Sequence, residues 1–176
     1  MKIILLLLLL VLGNLSFAQQ MVFPIIKNYG GVFEIPEAVE KPDPSMEYKI
    51  VIDLAGGSEN PAAINDFLNN IARMINLHSV GGVPKEKIHV VVAIHNQATY
   101  SIMDNESYKQ KYKVENPNLA VYKALREAGV DLYVCGQSLI GRSIDKAKIS
   151  PDIKIATSML TVLTTFQLKG YAWFKF

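Results

Sequence analysis

Residues 125–142 read LREAGVDLYVCGQSLIGR, the pattern of a helix end followed by a strand and a new helix. Gly129 stands where a helix commonly ends in a residue that tolerates a positive φ angle. The short apolar run from Val130 to Val134 is typical of a buried strand in a parallel sheet. Cys135, the only cysteine of the chain, follows at the carboxyl end of this strand. Ligands and chemistry collect at this edge in open α/β sheets, so Cys135 is the first candidate for a functional residue.

The position of Cys135 allows two interpretations. Gly136 permits a tight turn into a helix predicted over residues 137–147, so the thiol would face a helix N-terminus. Free backbone N–H groups and the helix dipole favour the thiolate at such a position. A lone cysteine is also commonly a small buried apolar side chain without chemistry. The residues alone leave these two interpretations equally open.

Residues 1–18 have the pattern of a secretory signal peptide. Lys2 precedes an apolar run from Ile3 to Leu12, and the segment ends in Ser-Phe-Ala, which predicts cleavage after Ala18. The apolar run is shorter than the ~20 residues that span a bilayer. We therefore expect an exported protein with no stable membrane insertion after cleavage.

The composition argues against a nucleic-acid partner and excludes stabilisation by an internal disulfide bond. The 18 Lys and Arg residues nearly balance the 16 Asp and Glu residues, which is not the basic composition of a nucleic-acid-binding protein. A single cysteine cannot form an internal disulfide bond. The fold must therefore depend on a hydrophobic core alone.

The rest of the chain divides into an arm and one domain. Residues 19–47 contain four prolines and no sustained periodicity, which predicts an extended N-terminal arm lying across the domain or against a neighbouring subunit. In residues 48–176, strands alternate with helices, which predicts an α/β fold with a mainly parallel sheet of about five strands, covered on both faces. The strands are predicted at 48–54, 88–94, 130–134, 153–156 and 171–176. The helices are predicted at 62–78 (with Asn60 as its N-cap), 104–112, 119–128, 137–147 and 157–168.

Two further candidate residues are His95, at the carboxyl end of a strand, and Arg142, which follows Cys135 by seven residues. His95 follows the strand 88–94, in a position equivalent to that of Cys135, and is either a proton donor and acceptor or a hydrogen-bonded loop residue. Arg142 is either an anion-binding residue or a solvated cation. The three histidines and Cys135 lack the spacing of metal ligands, and no flavin fingerprint is present, so we expect neither metal nor cofactor.

The second half of the chain resembles the DsrE/DsrF-like family of sulfur-relay proteins, especially its small exported members. The resemblance lies in VVAIH (91–95), ENPNL (115–119), AGVDLYVCGQSL (128–139) and KGYAWF (169–174), and it covers roughly residues 48–176. It implies a three-layer, flavodoxin-like α/β sandwich and a homo-oligomer, often a trimer or hexamer. It also implies that Cys135 accepts a persulfide sulfur and hands it to a partner protein. Residues 1–18 leave open whether the exported protein is periplasmic or secreted, and the resemblance favours the periplasm.

Two functional hypotheses follow. In the first, the Cys135 thiolate is the nucleophile of a sulfur carrier, or binds a small sulfur species, and His95 moves a proton. In the second, the same cleft belongs to a non-catalytic oligomeric module that binds a small ligand or a protein. The second is supported because one cysteine, one histidine and one arginine are not a complete catalytic set. The candidate site consists of Cys135 and His95 for chemistry and of Gly136, Gln137, Ser138, Arg142 and Asn96 for ligand binding.

Overall fold

The computed structural model describes residues 19–176; the segment predicted as a signal peptide lies outside the described residues. Five parallel strands form one sheet in the order β4-β3-β2-β1-β5. They are β1 (Tyr48–Leu54), β2 (Ile88–Ile94), β3 (Asp131–Cys135), β4 (Lys154–Ala156) and β5 (Ala172–Lys175). The predicted α/β fold with a parallel sheet of about five strands is therefore confirmed.

Helices cover both faces of this sheet. They are α1 (Asp66–Val80), α2 (Asn105–Tyr112), α3 (Leu119–Glu127), α4 (Gly136–Gly141) and α5 (Met159–Leu168). Because successive strand residues point to opposite faces, each central strand supplies two cores. The larger core joins one face of β1, β2 and β3 to α1, α3 and Leu139 of α4. The smaller core joins the other face to α5, through Val162 and Leu163, which completes three layers.

Helix α1 begins at Asp66, so the prediction of a helix from residue 62 with Asn60 as its cap is wrong. Asn65 is the N-cap, and its Oδ1 accepts from the Phe67 N–H at 2.9 Å. The buried backbone N–H of Asn65 in turn donates to Asn118 Oδ1 at 2.8 Å. The hydrogen bond to Asn118 makes Asn65, and not Asn60, the N-cap of the helix. The Asn60 side chain instead accepts from the Ala62 N–H in an exposed turn.

Helix α4 ends at Gly141 after six residues, so the prediction of a helix through residue 147 is also wrong. Ser143 adopts a left-handed φ of 53°, and the Ile144 N–H donates to the Leu139 carbonyl at 2.9 Å. This hydrogen-bond pattern is a Schellman-type helix end. It returns the chain to the core, where Ile144 packs, so that β4 can join the sheet.

The N-terminal arm lies against α1. A single bridge pairs Val22 with Val32, and Ile26 is 1% exposed. Asn76 of α1 is fully buried; its Oδ1 accepts from the backbone N–H groups of Ile25 and Ile26, and its Nδ2 donates to three arm carbonyls. One amide side chain thus satisfies five backbone groups of a segment that has almost no strand or helix of its own.

Within residues 19–176, no helix has the length and hydrophobicity that crossing a membrane requires.

Candidate functional site

The candidate site lies at the carboxyl edge of the sheet, between β3 and β4. The chain leaving β3 enters α4, which packs on the larger core, whereas the chain leaving β4 enters α5 on the opposite face. Crevices at such divergence points are the usual ligand sites of open α/β sheets. Cys135 is the last residue of β3 and pairs with Ala156 of β4, so its thiol lies at this crevice.

Gly136 allows the chain to turn directly from β3 into α4. A Cβ atom at this position would lie 2.9 Å from the Ala156 carbonyl oxygen, which is closer than van der Waals contact permits. The absence of a side chain therefore places the start of α4 close against β4.

Hydrogen-bond donors from two segments surround the Cys135 thiol, which is 4% exposed. Burial raises the pKa of this thiol, but the backbone N–H of Met159, the hydroxyl and N–H of Ser138 and the hydroxyl of Ser158 lower it by more. The net effect holds the pKa of Cys135 below its usual value. Neutral donors alone achieve this, so the site stabilises a thiolate without a neighbouring cation.

Ser158 has two roles at this position. As the N-cap of α5, its Oγ accepts from the Leu160 N–H at 3.2 Å. The same hydroxyl, with its proton free to donate, lies 3.8 Å from the Cys135 Sγ. Ser158 was not among the site residues predicted from the sequence. A serine before an apolar helical run is a recognisable cap signal, but nothing local shows that this cap reaches Cys135.

His95 lies beside Cys135 on the same face of the sheet. Ile94 pairs with Val134, so the next residues of the two chains, His95 and Cys135, are neighbours in register. The His95 ring bonds in the other direction, through Nε2, to Oδ1 of Asp53 at 2.5 Å. Because an ionised carboxylate can only accept, Nε2 carries the proton, which leaves Nδ1 for a second partner.

Asp53 is the second site residue that was not predicted from the sequence. It is 5% exposed and is the only acidic residue in the apolar strand YKIVIDL. A buried carboxylate without a partner is costly, so this isolated charge was an available signal.

Arg142 contacts Asn96, the residue that follows His95. Its Nη2 donates to Asn96 Oδ1 at 2.7 Å, and its guanidinium carbon lies 5.9 Å from the Tyr100 ring centroid. Asn96 holds a left-handed φ of 49°, a conformation that asparagine tolerates better than most residues. The structure thus forms two neighbouring clusters, with Cys135, Gly136 and Ser138 in one and His95, Asn96 and Arg142 in the other, while Gln137 is exposed.

A depression of about 470 Å³ opens beside Arg142, and Cys135 is not among the residues that line it. Among residues 19–176, no group of three or more His, Cys, Asp or Glu side chains is arranged to hold a metal ion.

The chain is similar to known proteins in its family pattern and in its fold. The model of the DsrE/DsrF-like family matches residues 49–176. A protein of unknown function from Methanobacterium thermoautotrophicum, MTH1491, aligns with a TM-score of 0.55 and 13% identity, over 73% of this chain and 98% of its own. The YchN protein from E. coli aligns with a TM-score of 0.51 and 16% identity, over 73% of this chain and 99% of its own. No curated protein sequence matches the chain.

At these identities the two structures support the fold alone, whereas the family model covers nearly all of the α/β domain. It includes every residue of the candidate site, from Asp53 in β1 to Ser158 before α5. The resemblance inferred from residues 91–95, 115–119, 128–139 and 169–174 is confirmed: the chain belongs to the DsrE/DsrF-like family.

Proposed function

We propose that this protein carries sulfur as a persulfide on Cys135. Membership of the DsrE/DsrF-like family indicates a role related to sulfur relay. The observation that carries the finer proposal is the donor set around the thiol, which holds the pKa of Cys135 below its usual value and so favours the nucleophilic thiolate.

The proposed step is a single sulfur transfer. The Cys135 thiolate attacks the outer sulfur of a donor persulfide, R–S–SH, and forms a new S–S bond while the donor S–S bond breaks. The electron pair of that bond leaves with the donor as R–S⁻, and the product is Cys135–S–SH. A second thiolate takes the sulfur from Cys135 by the same exchange, so neither step needs an external oxidant or reductant.

Each neighbour of Cys135 has a part in this step. The N–H groups of Met159 and Ser138 stabilise the negative charge of the Cys135 thiolate before transfer. His95, oriented by Asp53, accepts the proton of the Cys135 thiol at Nδ1 as the thiolate forms, and then donates it to the departing thiolate. The proposed role of His95 rests on its register with Cys135 on the adjacent strand.

The same proposal includes export and assembly. The signal peptide predicted at residues 1–18 would deliver the protein to the periplasm, where a partner protein supplies or receives the sulfur. A homo-oligomer, a trimer or a hexamer, is supported by large apolar side chains that one chain leaves exposed on α5 and β5. Leu168 is 90% exposed, Leu160 is 67% exposed and Trp173 is 51% exposed.

The burial of Cys135 favours a second candidate function. Its exposed fraction of 4% restricts the approach of a sulfur donor, and the His95 ring is bonded to Asp53. A non-catalytic module that binds a small ligand or a protein at this edge of the sheet needs no access to the thiol.

Intact mass spectrometry after incubation with inorganic polysulfide separates the two functions. A sulfur carrier gains the mass of one sulfur atom at Cys135; a reducing agent removes it, and Cys135→Ser does not acquire it. A His95→Gln variant loads more slowly, because the departing thiolate lacks its proton donor. No adduct, together with a thiol that alkylates only on unfolding, would refute the carrier and leave the binding module.

A further inference from the structure

The depression beside Arg142 combines charged side chains with an aromatic ring. Its lining includes Tyr100, Lys111, Arg142, Ser143, Asp145 and Lys148. Arg142 connects it to the candidate site, because the Arg142 guanidinium bonds to Asn96, the residue after His95. The depression and Cys135 therefore lie on the same carboxyl edge of the sheet.

Two cations that border this depression lack an acidic partner. In the described part of the chain, neither Arg142 nor Lys111 forms an ion pair. Arg142 is held by a neutral amide, and the Lys111 Nζ lies 4.3 Å from the Tyr100 ring centroid. Lys148, in contrast, is neutralised by Glu106 at 3.1 Å. One acidic side chain, Asp145, remains on the lining, so the depression has a net positive charge.

The size of the depression fits an organic molecule. A volume of about 470 Å³ lies in the range of sites for small organic ligands, roughly 300–1,000 Å³, and is far above the ~30 Å³ of a water molecule. Helix α4 separates Cys135 from Arg142, and the seven residue steps between them correspond to about 10.5 Å at a helical rise of 1.5 Å each. A ligand with its sulfur at Cys135 and its anionic group at Arg142 therefore has about the dimensions of a di- or tripeptide.

We propose that the depression binds the carboxylates of the sulfur donor, a small peptide-like persulfide. Arg142 presents a planar guanidinium that suits bidentate bonding to one carboxylate, and Lys111 supplies a second positive charge. This inference rests on the proposed function, since it names the class of donor that loads Cys135. It also separates recognition, by Arg142 and Lys111, from chemistry, by Cys135.

Binding of S-methylglutathione tests this inference without any sulfur transfer. The probe bears two carboxylates and cannot react, and isothermal titration calorimetry on the Cys135→Ser protein measures its dissociation constant. We expect Arg142→Gln to weaken binding about tenfold, the cost of one charge-assisted interaction. Arg73→Gln is the matched control, because Arg73 is exposed on α1, far from the site, and the substitution is the same. Lys111→Gln should weaken binding as well, and all three variants should retain the helical circular dichroism of the parent.

Three results would overturn the inference: no saturable binding at millimolar probe, no change with Arg142→Gln, or an equal loss with Arg73→Gln. If Arg142→Gln were to unfold the protein, Arg142→Lys would keep the charge without the planar fork and should still weaken binding. Loading of Cys135 by inorganic polysulfide needs no carboxylate, so in the parent protein it tests the sulfur carrier separately from binding of the probe. If polysulfide loads Cys135 but the probe does not bind, the carboxylate site beside Arg142 is refuted and the sulfur carrier is retained. If the probe binds but polysulfide does not load Cys135, the sulfur carrier is refuted and the carboxylate site is retained.

Discussion

Replacing Ser158 by alanine should raise the pKa of Cys135 and destabilise α5 at the same time. The Ser158 Oγ lies 3.8 Å from the Cys135 Sγ, where its hydroxyl donates once Cys135 is a thiolate, and it accepts from the Leu160 N–H at 3.2 Å. Ser158→Ala removes both interactions with little change in volume. Ser158→Thr keeps a hydroxyl at the same position and is the matched control.

The magnitudes follow from these two contacts. A hydrogen bond to a charged group contributes about 1.5–3 kcal/mol, and the long contact to sulfur favours the lower end of that range. Since one pKa unit corresponds to about 1.4 kcal/mol, we expect the pKa of Cys135 to rise by about one unit. Loss of a serine N-cap should lower the free energy of unfolding by about 1 kcal/mol.

The ultraviolet absorbance of the thiolate as a function of pH, measured as the difference from Cys135→Ser, gives the pKa of Cys135, because Cys135 is the only cysteine. Urea denaturation gives the free energy of unfolding. The rate of alkylation below the pKa should fall about threefold, because the higher nucleophilicity of the more basic thiolate offsets part of the tenfold loss of thiolate. An unchanged pKa in Ser158→Ala, with the expected loss of stability, would show that Ser158 only caps α5 and that the other donors determine the thiol chemistry. A Ser79→Ala variant, on the last turn of α1, should change neither quantity.

Two further predictions concern the same corner of the fold. The pKa of Cys135 is lower in the folded protein than in the unfolded chain, so the thiolate stabilises the fold. This stabilisation is complete above the pKa of the unfolded chain, about 8.5, and disappears as the pH falls through the pKa of the folded protein. Urea denaturation at several pH values should therefore show stability rising with pH across that window relative to Cys135→Ser, and parallel curves would contradict the lowered pKa. Gly136→Ala should lower the free energy of unfolding by about 1–3 kcal/mol, since its Cβ would lie 2.9 Å from the Ala156 carbonyl oxygen. Gly141→Ala, whose Cβ meets no atom within 4 Å, should be neutral or stabilising, and equal effects of the two substitutions would refute the steric explanation.

The strands were the most predictable part of the fold. Residues 48–54 and 88–94 were predicted with the bounds that β1 and β2 have in the structure, because a buried parallel strand is a continuous apolar run bounded by polar or turn residues. The predicted start of α1 and the predicted end of α4 were wrong, because contacts outside each helix determine where it begins or ends. Asn118 bonds to Asn65 at the start of α1, and the packing of Ile144 follows the left-handed turn that ends α4.

The residues of the candidate site were also predicted only in part. Cys135, His95 and Arg142 were identified because each stands at, or one short helix beyond, the end of a strand recognisable in the sequence. Asp53 and Ser158 were missed because each is distant in sequence from the residue that it contacts. Asp53 reaches His95 from the neighbouring strand, and Ser158 reaches Cys135 from the connection after β4.

The sequence by itself determined the α/β alternation, the parallel sheet and the location of a single cysteine at its carboxyl edge. These features depend on local hydrophobic periodicity, turn residues and chain order, all of which a linear sequence contains. Only the tertiary structure decided which donors surround the thiol, which carboxylate orients His95 and which cations remain without an acidic partner. Those properties depend on distances between segments that are 23 to 46 residues apart in the chain, and packing of the two cores sets these distances.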